Sequence, residues 1–123
     1  LVLKILIVDD SSSIRNILKN SLNSLGYSDV LEANDGLEAQ LVLDENKDIK
    51  LMLVDWKMPN MSGYELLQIV KNSSSLKHIP IIMVTTASEK EDVMKAIKAG
   101  ASNYLIKPFT KDVLAEKIKA TIK

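Results

Sequence analysis

Apolar runs and amphipathic stretches alternate from one end of the chain to the other. Leu1-Val2-Leu3-Lys4-Ile5-Leu6-Ile7-Val8 is nearly continuous and stops at Asp9-Asp10, the pattern of a buried strand. Ser11-Ser12-Ser13 then supplies capping hydroxyls, and Ile14, Ile17, Leu18, Leu22 and Leu25 fall on one helical face. Gly26 stands where a left-handed C-terminal residue belongs. A weaker strand is expected over residues 29–33, and Asp35 with Glu38 opens a second helix running to about Asn46. Leu51-Met52-Leu53-Val54 reads as a third strand that ends abruptly at Asp55. Beyond Pro59, Ser62 and Glu65 form a capping box for a helix carrying Leu66, Ile69 and Val70. Pro80 precedes a fourth strand, Ile81-Ile82-Met83-Val84, which finishes at Thr85-Thr86. Ser88 and Glu91 form another capping box, and Gly100 closes that helix. Residues 102–106 make a fifth strand, ended by Lys107-Pro108, and Thr110 caps a last helix with Val113, Leu114 and Ile118 inward.

These are five strand–helix units with short connections and no linker or repeat, so residues 1–123 are read as one domain. Strands that are apolar throughout, each followed by a helix, predict an α/β fold: a doubly wound, five-stranded parallel sheet with helices on both faces. Such sheets bind ligands outside the carboxyl ends of their strands, where the strand order reverses.

Composition narrows the chemistry. Sixteen basic residues balance sixteen acidic ones, which argues against nucleic acid as a partner. There is no cysteine and only one histidine, His78, so thiolate zinc sites, cysteine nucleophiles and multi-histidine metal sites are excluded. His78 lies in the loop before Pro80 and reads as a surface residue rather than a phosphate donor. No apolar run approaches the roughly 18 residues a membrane span needs, and no signal-peptide pattern is present. A cytoplasmic location is the default expectation.

The strand ends carry the interesting groups: Asp9-Asp10 on the first, Asp55 on the third, Thr85-Thr86 on the fourth and Lys107 on the fifth. Singly, each has an ordinary explanation as a cap, a turn or a solvated end. Jointly, the predicted fold brings them to one edge. Carboxylates gathered there repel one another and call for a cation, and an all-oxygen donor set selects Mg²⁺ or a similar hard ion. Thr85 can donate to a phosphoryl oxygen, Lys107 can neutralise its charge, and a carboxylate can be the nucleophile that forms an aspartyl phosphate. The residues alone point to a Mg²⁺-assisted phosphoryl site with an aspartate acceptor.

Several motifs in this order resemble the receiver domains of response regulators, most closely their single-domain chemotaxis members. They are Val8-Asp9-Asp10-Ser11, Val54-Asp55-Trp56-Lys57-Met58-Pro59 with Ser62-Gly63, Val84-Thr85, and Ala99-Gly100-Ala101-Ser102-Asn103-Tyr104 leading to Lys107-Pro108-Phe109. The resemblance spans the chain and implies the flavodoxin-like topology. It implies Asp55 as phosphoacceptor from a histidine kinase, in a signalling switch that catalyses only its own phosphorylation and dephosphorylation. Asp10, Asp55 and the main-chain carbonyl of Lys57 are the implied Mg²⁺ ligands, with Asp9 acting through an intervening water. Thr85 is the implied switch hydroxyl, Lys107 its ion-pair partner before a cis proline bond, and Tyr104 the aromatic that rotates inward after Thr85. The output face then meets a partner, expected to be a flagellar motor switch protein, and a helper phosphatase is a further candidate. Trp56, beside Asp55, is expected at the pocket rim.

Three positions depart from the better-known pattern: Lys57, Thr86 and Ala87 border the path of attacking water and bear on phosphoryl lifetime. The alternatives are a phosphorelay intermediate or a receiver cut from a larger regulator or hybrid kinase. An aspartate-nucleophile phosphatase would place an Asp where Lys57 stands and carry a cap insertion, and a flavin protein of this architecture has no need of the acidic cluster.

Overall fold

The computed structural model describes residues 3–86 and 90–122, Lys90 by its backbone alone. Its elements follow the expected order: β1 (Ile5–Val8), α1 (Ser12–Ser24), β2 (Val30–Ala33), α2 (Gly36–Glu45), β3 (Leu51–Asp55), α3 (Gly63–Lys71), β4 (Ile81–Thr86), α4 (Lys90–Lys98), β5 (Asn103–Lys107) and α5 (Lys111–Ile122). All pairings are parallel, in the order β2-β1-β3-β4-β5. The order reverses between β1 and β3, so the crevice lies where Asp9 and Asp55 follow the paired Val8 and Val54.

Strand alternation sorts the core into two layers. Ile5, Ile7, Leu51, Leu53, Ile82, Val84 and Leu105 face α1 and α5, packing on Leu18, Leu22, Leu114 and Ile118. Leu6, Val8, Met52, Val54, Ile81 and Met83 face the other way, onto Ala39 and Leu43 of α2, Leu66, Leu67 and Val70 of α3, and Ala96 of α4. The apolar, two-sided burial of β1, β3 and β4 is what a sheet covered on both faces demands.

The helix signals are met in detail. Ser11 Oγ accepts from Ile14 N–H, Thr110 Oγ1 accepts from Val113 N–H, and the Ser62–Glu65 capping box is complete. Asp35 caps α2, but Glu38 reaches the Asn34 amide rather than closing a box on Asp35 itself. Gly26 and Gly100 adopt φ of +96° and +115°, the left-handed turns that stop α1 and α4. Ser88 lies outside the described residues, as do Leu1 and Val2; among the described residues the first strand starts at Ile5, where pairing to Val30 and Leu51 begins.

Three expected core residues point outward instead. Ile17, Ile69 and Val113 are exposed, whereas Leu18, Leu22, Leu67, Val70, Leu114 and Ile118 are buried. A helix on a sheet buries one stripe, and the residue next to a stripe position is turned about 100° away from it.

Candidate functional site

Parity decides which side chains can meet. Asp9 follows Val8 on β1, Asp55 ends β3 and Lys107 ends β5, and alternation turns all three toward the α1–α5 layer. There Lys107 Nζ donates to Asp55 Oδ1 at 2.9 Å and to Asp9 Oδ2 at 3.4 Å. Carboxylate oxygens of Asp9, Asp10 and Asp55 all lie within 4.8 Å of one another. Asp9 is only 2% exposed and Asp55 8%, while Asp10 is open to solvent. Asp9 Oδ1 is held by the Ser11 amide at 2.9 Å. Asp10 makes no hydrogen bond or ion pair among the described residues.

Burial pushes the Asp55 carboxyl up to about 6. The hydrogen bond from Lys107 pulls against burial, and the charges of Asp9 and Asp10 add to it. Burial also works against the Lys107 ammonium, but the hydrogen bonds and charges of Asp55 and Asp9 outweigh it and leave its pKa raised. Two further carboxylates against one ammonium leave the pocket short of positive charge. An all-oxygen cluster of this kind fits a hard divalent cation.

The backbone around Asp55 is held tightly. Trp56 N–H donates to the Val84 carbonyl, and Gly63 N–H to the Trp56 carbonyl at 2.8 Å. A Cβ on Gly63 would fall on the Asp55 carbonyl oxygen, so α3 can start against the end of β3 only with glycine there. Asn60 takes a left-handed φ of 71° in the intervening turn. Lys57 lies exposed in that turn, and no hydrogen bond among the described residues occupies its main-chain carbonyl.

Thr85 sits on β4 one residue past the Asp55↔Val84 pair and is fully buried. Its hydroxyl has no hydrogen-bond partner, the only such buried side-chain atom among the described residues. A buried orphan hydroxyl costs roughly 1–3 kcal/mol, which a phosphoryl oxygen arriving within reach would repay. Tyr104 shares Thr85's side of the sheet by alternation, on edge strand β5. It is half-buried, with Lys117 Nζ 4.1 Å from its ring centroid and no hydrogen bond to Thr85.

The Lys107-Pro108 bond is cis, as the resemblance implied, and His78 is exposed. Trp56 differs from expectation: it is buried in the α2–α4 layer with its ring 5.6 Å from Tyr64, because its parity is opposite to that of Asp55. Thr86 is exposed and Ala87 lies outside the described residues. Two features escaped sequence reading. Exposed Ile17 joins Ile14, Pro108 and Phe109 in an apolar groove of about 430 Å³ walled by Lys107. Arg15 donates to the Asp9 main-chain carbonyl at 2.6 Å. An exposed isoleucine next to a core stripe, and an arginine five residues after an aspartate pair, were the only available signals.

A five-stranded 2-1-3-4-5 sheet with an acidic pocket, a lysine and a buried hydroxyl at its carboxyl edge defines a class of phosphorylation-operated signalling switch. The response regulator receiver domain family matches residues 5–119, and the chain belongs to it. Among curated proteins, the chemotaxis protein CheY1 of Helicobacter pylori is 51% identical over 120 residues, 98% of this chain and 97% of that protein. Among solved structures, chemotaxis protein CheY4 of Vibrio cholerae superposes with a TM-score of 0.88 at 34% identity, covering 97% of this chain and 98% of that one. The receiver domain of a signal transduction histidine kinase from Syntrophus aciditrophicus gives 0.84 at 34% identity, covering 94% and 86%. The chain is thus a two-component receiver whose relatives place it in chemotaxis, and no helix among its described residues is long and apolar enough to cross a membrane.

Proposed function

We propose that Asp55 is the phosphoacceptor and that this receiver carries a chemotaxis signal in the cytoplasm, from a histidine kinase to a flagellar motor switch protein. The observation that carries the reading is the juxtaposition at Asp55: an ammonium 2.9 Å away, two more carboxylates within 4.8 Å, and a buried hydroxyl without a partner on the next strand. Asp9, Asp10 and Asp55, with the main-chain carbonyl of Lys57, would hold Mg²⁺. When bound, that ion supplies the positive charge that lets a carboxylate and a phosphoryl group approach.

The chain's own residues do the rest. An Asp55 carboxylate oxygen attacks phosphorus, an O–P bond forms, and the P–N bond of the donor phosphohistidine breaks toward its imidazole. Lys107, already shared between Asp55 and Asp9, neutralises the charge that accumulates on the transferred group. Thr85 then donates to a phosphoryl oxygen and loses its orphan status. Leaving its present site vacates space on the Tyr104 side of the sheet, so Tyr104 exchanges its place under Lys117 for one nearer β4. The rearranged β5 edge is the signal to the partner. In dephosphorylation water attacks phosphorus, the Asp55 O–P bond breaks, and inorganic phosphate and the free carboxylate are released, at a rate tuned by Lys57, Thr86 and Ala87 and by any helper phosphatase.

The test is labelling by a small phosphodonor such as phosphoramidate in the presence of Mg²⁺. Wild-type protein should gain one acyl phosphate, and Asp55→Asn none. Full labelling of Asp55→Asn would move the acceptor elsewhere. The likeness to a receiver from a histidine kinase supports a second reading, a phosphorelay or hybrid-kinase receiver. Transfer of phosphate from Asp55 to a histidine phosphotransfer protein, rather than phosphate-dependent binding to a motor switch protein, would select it.

A further inference from the structure

Arg15 has no part in the phosphoryl chemistry, yet it is tied to the site by a short hydrogen bond. It lies in α1, and its guanidinium works in two directions. Nη1 donates to the Asp9 main-chain carbonyl at 2.6 Å and to Asn34 Oδ1 at 3.3 Å, and Nε donates to Glu32 Oε1 at 3.0 Å. Lys19 Nζ supports the other Glu32 oxygen at 3.5 Å. One planar fork therefore joins the end of β1 to the end of β2 and the loop after it.

The group that Arg15 holds matters. The Asp9 carbonyl belongs to the Asp9–Asp10 peptide, and a planar peptide fixed at its oxygen is fixed at the nitrogen and Cα of the next residue. Asp9 is also secured through its side chain, by Ser11 N–H and Lys107. Asp10 has no such support: its carboxylate is exposed and unbonded, although it lies within 4.8 Å of those of Asp9 and Asp55. Its direction depends on the peptide it hangs from.

We infer that Arg15 is a positioning residue for the divalent-cation site: by holding the Asp9–Asp10 peptide plane, it aims the Asp10 carboxylate toward those of Asp9 and Asp55. This rests on the reading of the pocket as a Mg²⁺ site. Charge and position make opposite demands here, and that makes the inference testable. As a bare cation near the pocket, Arg15 repels Mg²⁺, so its removal would tighten binding. As a positioning residue it has the reverse effect, because a carboxylate left free to rotate must be ordered when the ion arrives.

The experiment measures Mg²⁺ affinity by calorimetry for wild type, Arg15→Gln and Arg15→Lys, well below each protein's melting temperature. Both variants should bind about tenfold more weakly, at the low end of the loss for partners that orient metal ligands. Arg15→Lys should not rescue, because it keeps the charge but lacks the planar fork. With chelator present, the NMR order parameter of the Asp10 backbone N–H should be lower in both variants than in wild type. Tighter binding by Arg15→Gln with wild-type affinity in Arg15→Lys would make Arg15 a charge only and overturn the inference. Equal affinity in all three proteins would overturn it too. If Arg15→Gln fails to fold, Arg15→Lys, which retains a cation facing Glu32, decides the question alone. A wild-type protein that takes up no Mg²⁺ would bring down the metal reading along with the inference, whereas failure confined to the variants leaves the metal reading standing.

Discussion

Holding Asp55 ionised in the metal-free protein should cost stability, and Asp55→Asn should recover it. Burial, with Asp9 and Asp10 adding to it, raises the folded-state pKa from 3.8 to about 6 even with Lys107 hydrogen-bonded. Two units at about 1.4 kcal/mol each amount to roughly 3 kcal/mol. Between these two pKa values the native state binds more protons than the unfolded state, so the free energy of unfolding falls as pH rises. The stability contributed by the neutral carboxyl is present below about pH 4, declines through pH 4–6, and is lost at neutral pH. The amide of Asn keeps an acceptor for Lys107 without the charge, so about 3 kcal/mol is a ceiling on the gain at pH 7.5, or roughly 10 °C in Tm for a domain of this size. Urea denaturation followed by circular dichroism, in chelator at half-unit steps from pH 4 to pH 8, measures this directly. Wild type should weaken toward neutral pH, Asp55→Asn should lose less, and the two curves should converge near pH 4. Parallel curves, or a variant less stable than wild type at pH 7.5, would refute the reasoning. Saturating Mg²⁺ should narrow the gap from the other side by stabilising wild type more than the variant.

Other perturbations separate chemistry, switch and scaffold. Asp10→Asn should raise the metal-free Tm by a degree or two, since Asp10 is exposed, and weaken Mg²⁺ binding by at least tenfold; calorimetry and melting check both. Thr85→Val should stabilise the unphosphorylated protein by about 1 kcal/mol, because a buried hydroxyl without a partner gives way to a methyl. The same variant should still accept phosphate on Asp55, yet show no phosphate-dependent gain in partner affinity by titration with the purified motor switch protein. Gly63→Ala should cost 3 kcal/mol or more (an order-of-magnitude figure for a forced backbone shift), because its Cβ falls on the Asp55 carbonyl oxygen, and should slow phosphorylation in the fraction that folds.

Much of this protein is local information. Each strand announces itself by a run of apolar residues, each helix by a cap and a stripe, and each boundary by a Gly, Pro, Ser or Asp. These signals act through contacts a few residues apart, so they survive without a tertiary structure: the Ser62–Glu65 box and the left-handed Gly26 and Gly100 stand where pattern put them. The acidic cluster was legible for a related reason. Once five apolar strands are parallel, connectivity alone sends Asp9, Asp10, Asp55, Thr85 and Lys107 to one edge.

Orientation at that edge is another matter, because it depends on strand parity and on which stripe of a helix the sheet selects. Trp56 is adjacent to Asp55 in sequence but points into the opposite layer, and only the register of β3 between β1 and β4 makes that evident. Ile17 and Leu67 look interchangeable in composition, yet one lines an open groove and the other is fully buried, since each helix settles by the summed packing of its whole stripe. Arg15 carries no local mark of its tie to the Asp9 peptide, because Glu32 and Asn34, which hold the other side of its guanidinium, arrive on a separate strand and loop. Nor could composition show that the Thr85 hydroxyl lacks a partner: an unmet hydrogen bond is a property of the surroundings, and those exist only once the chain has closed around it.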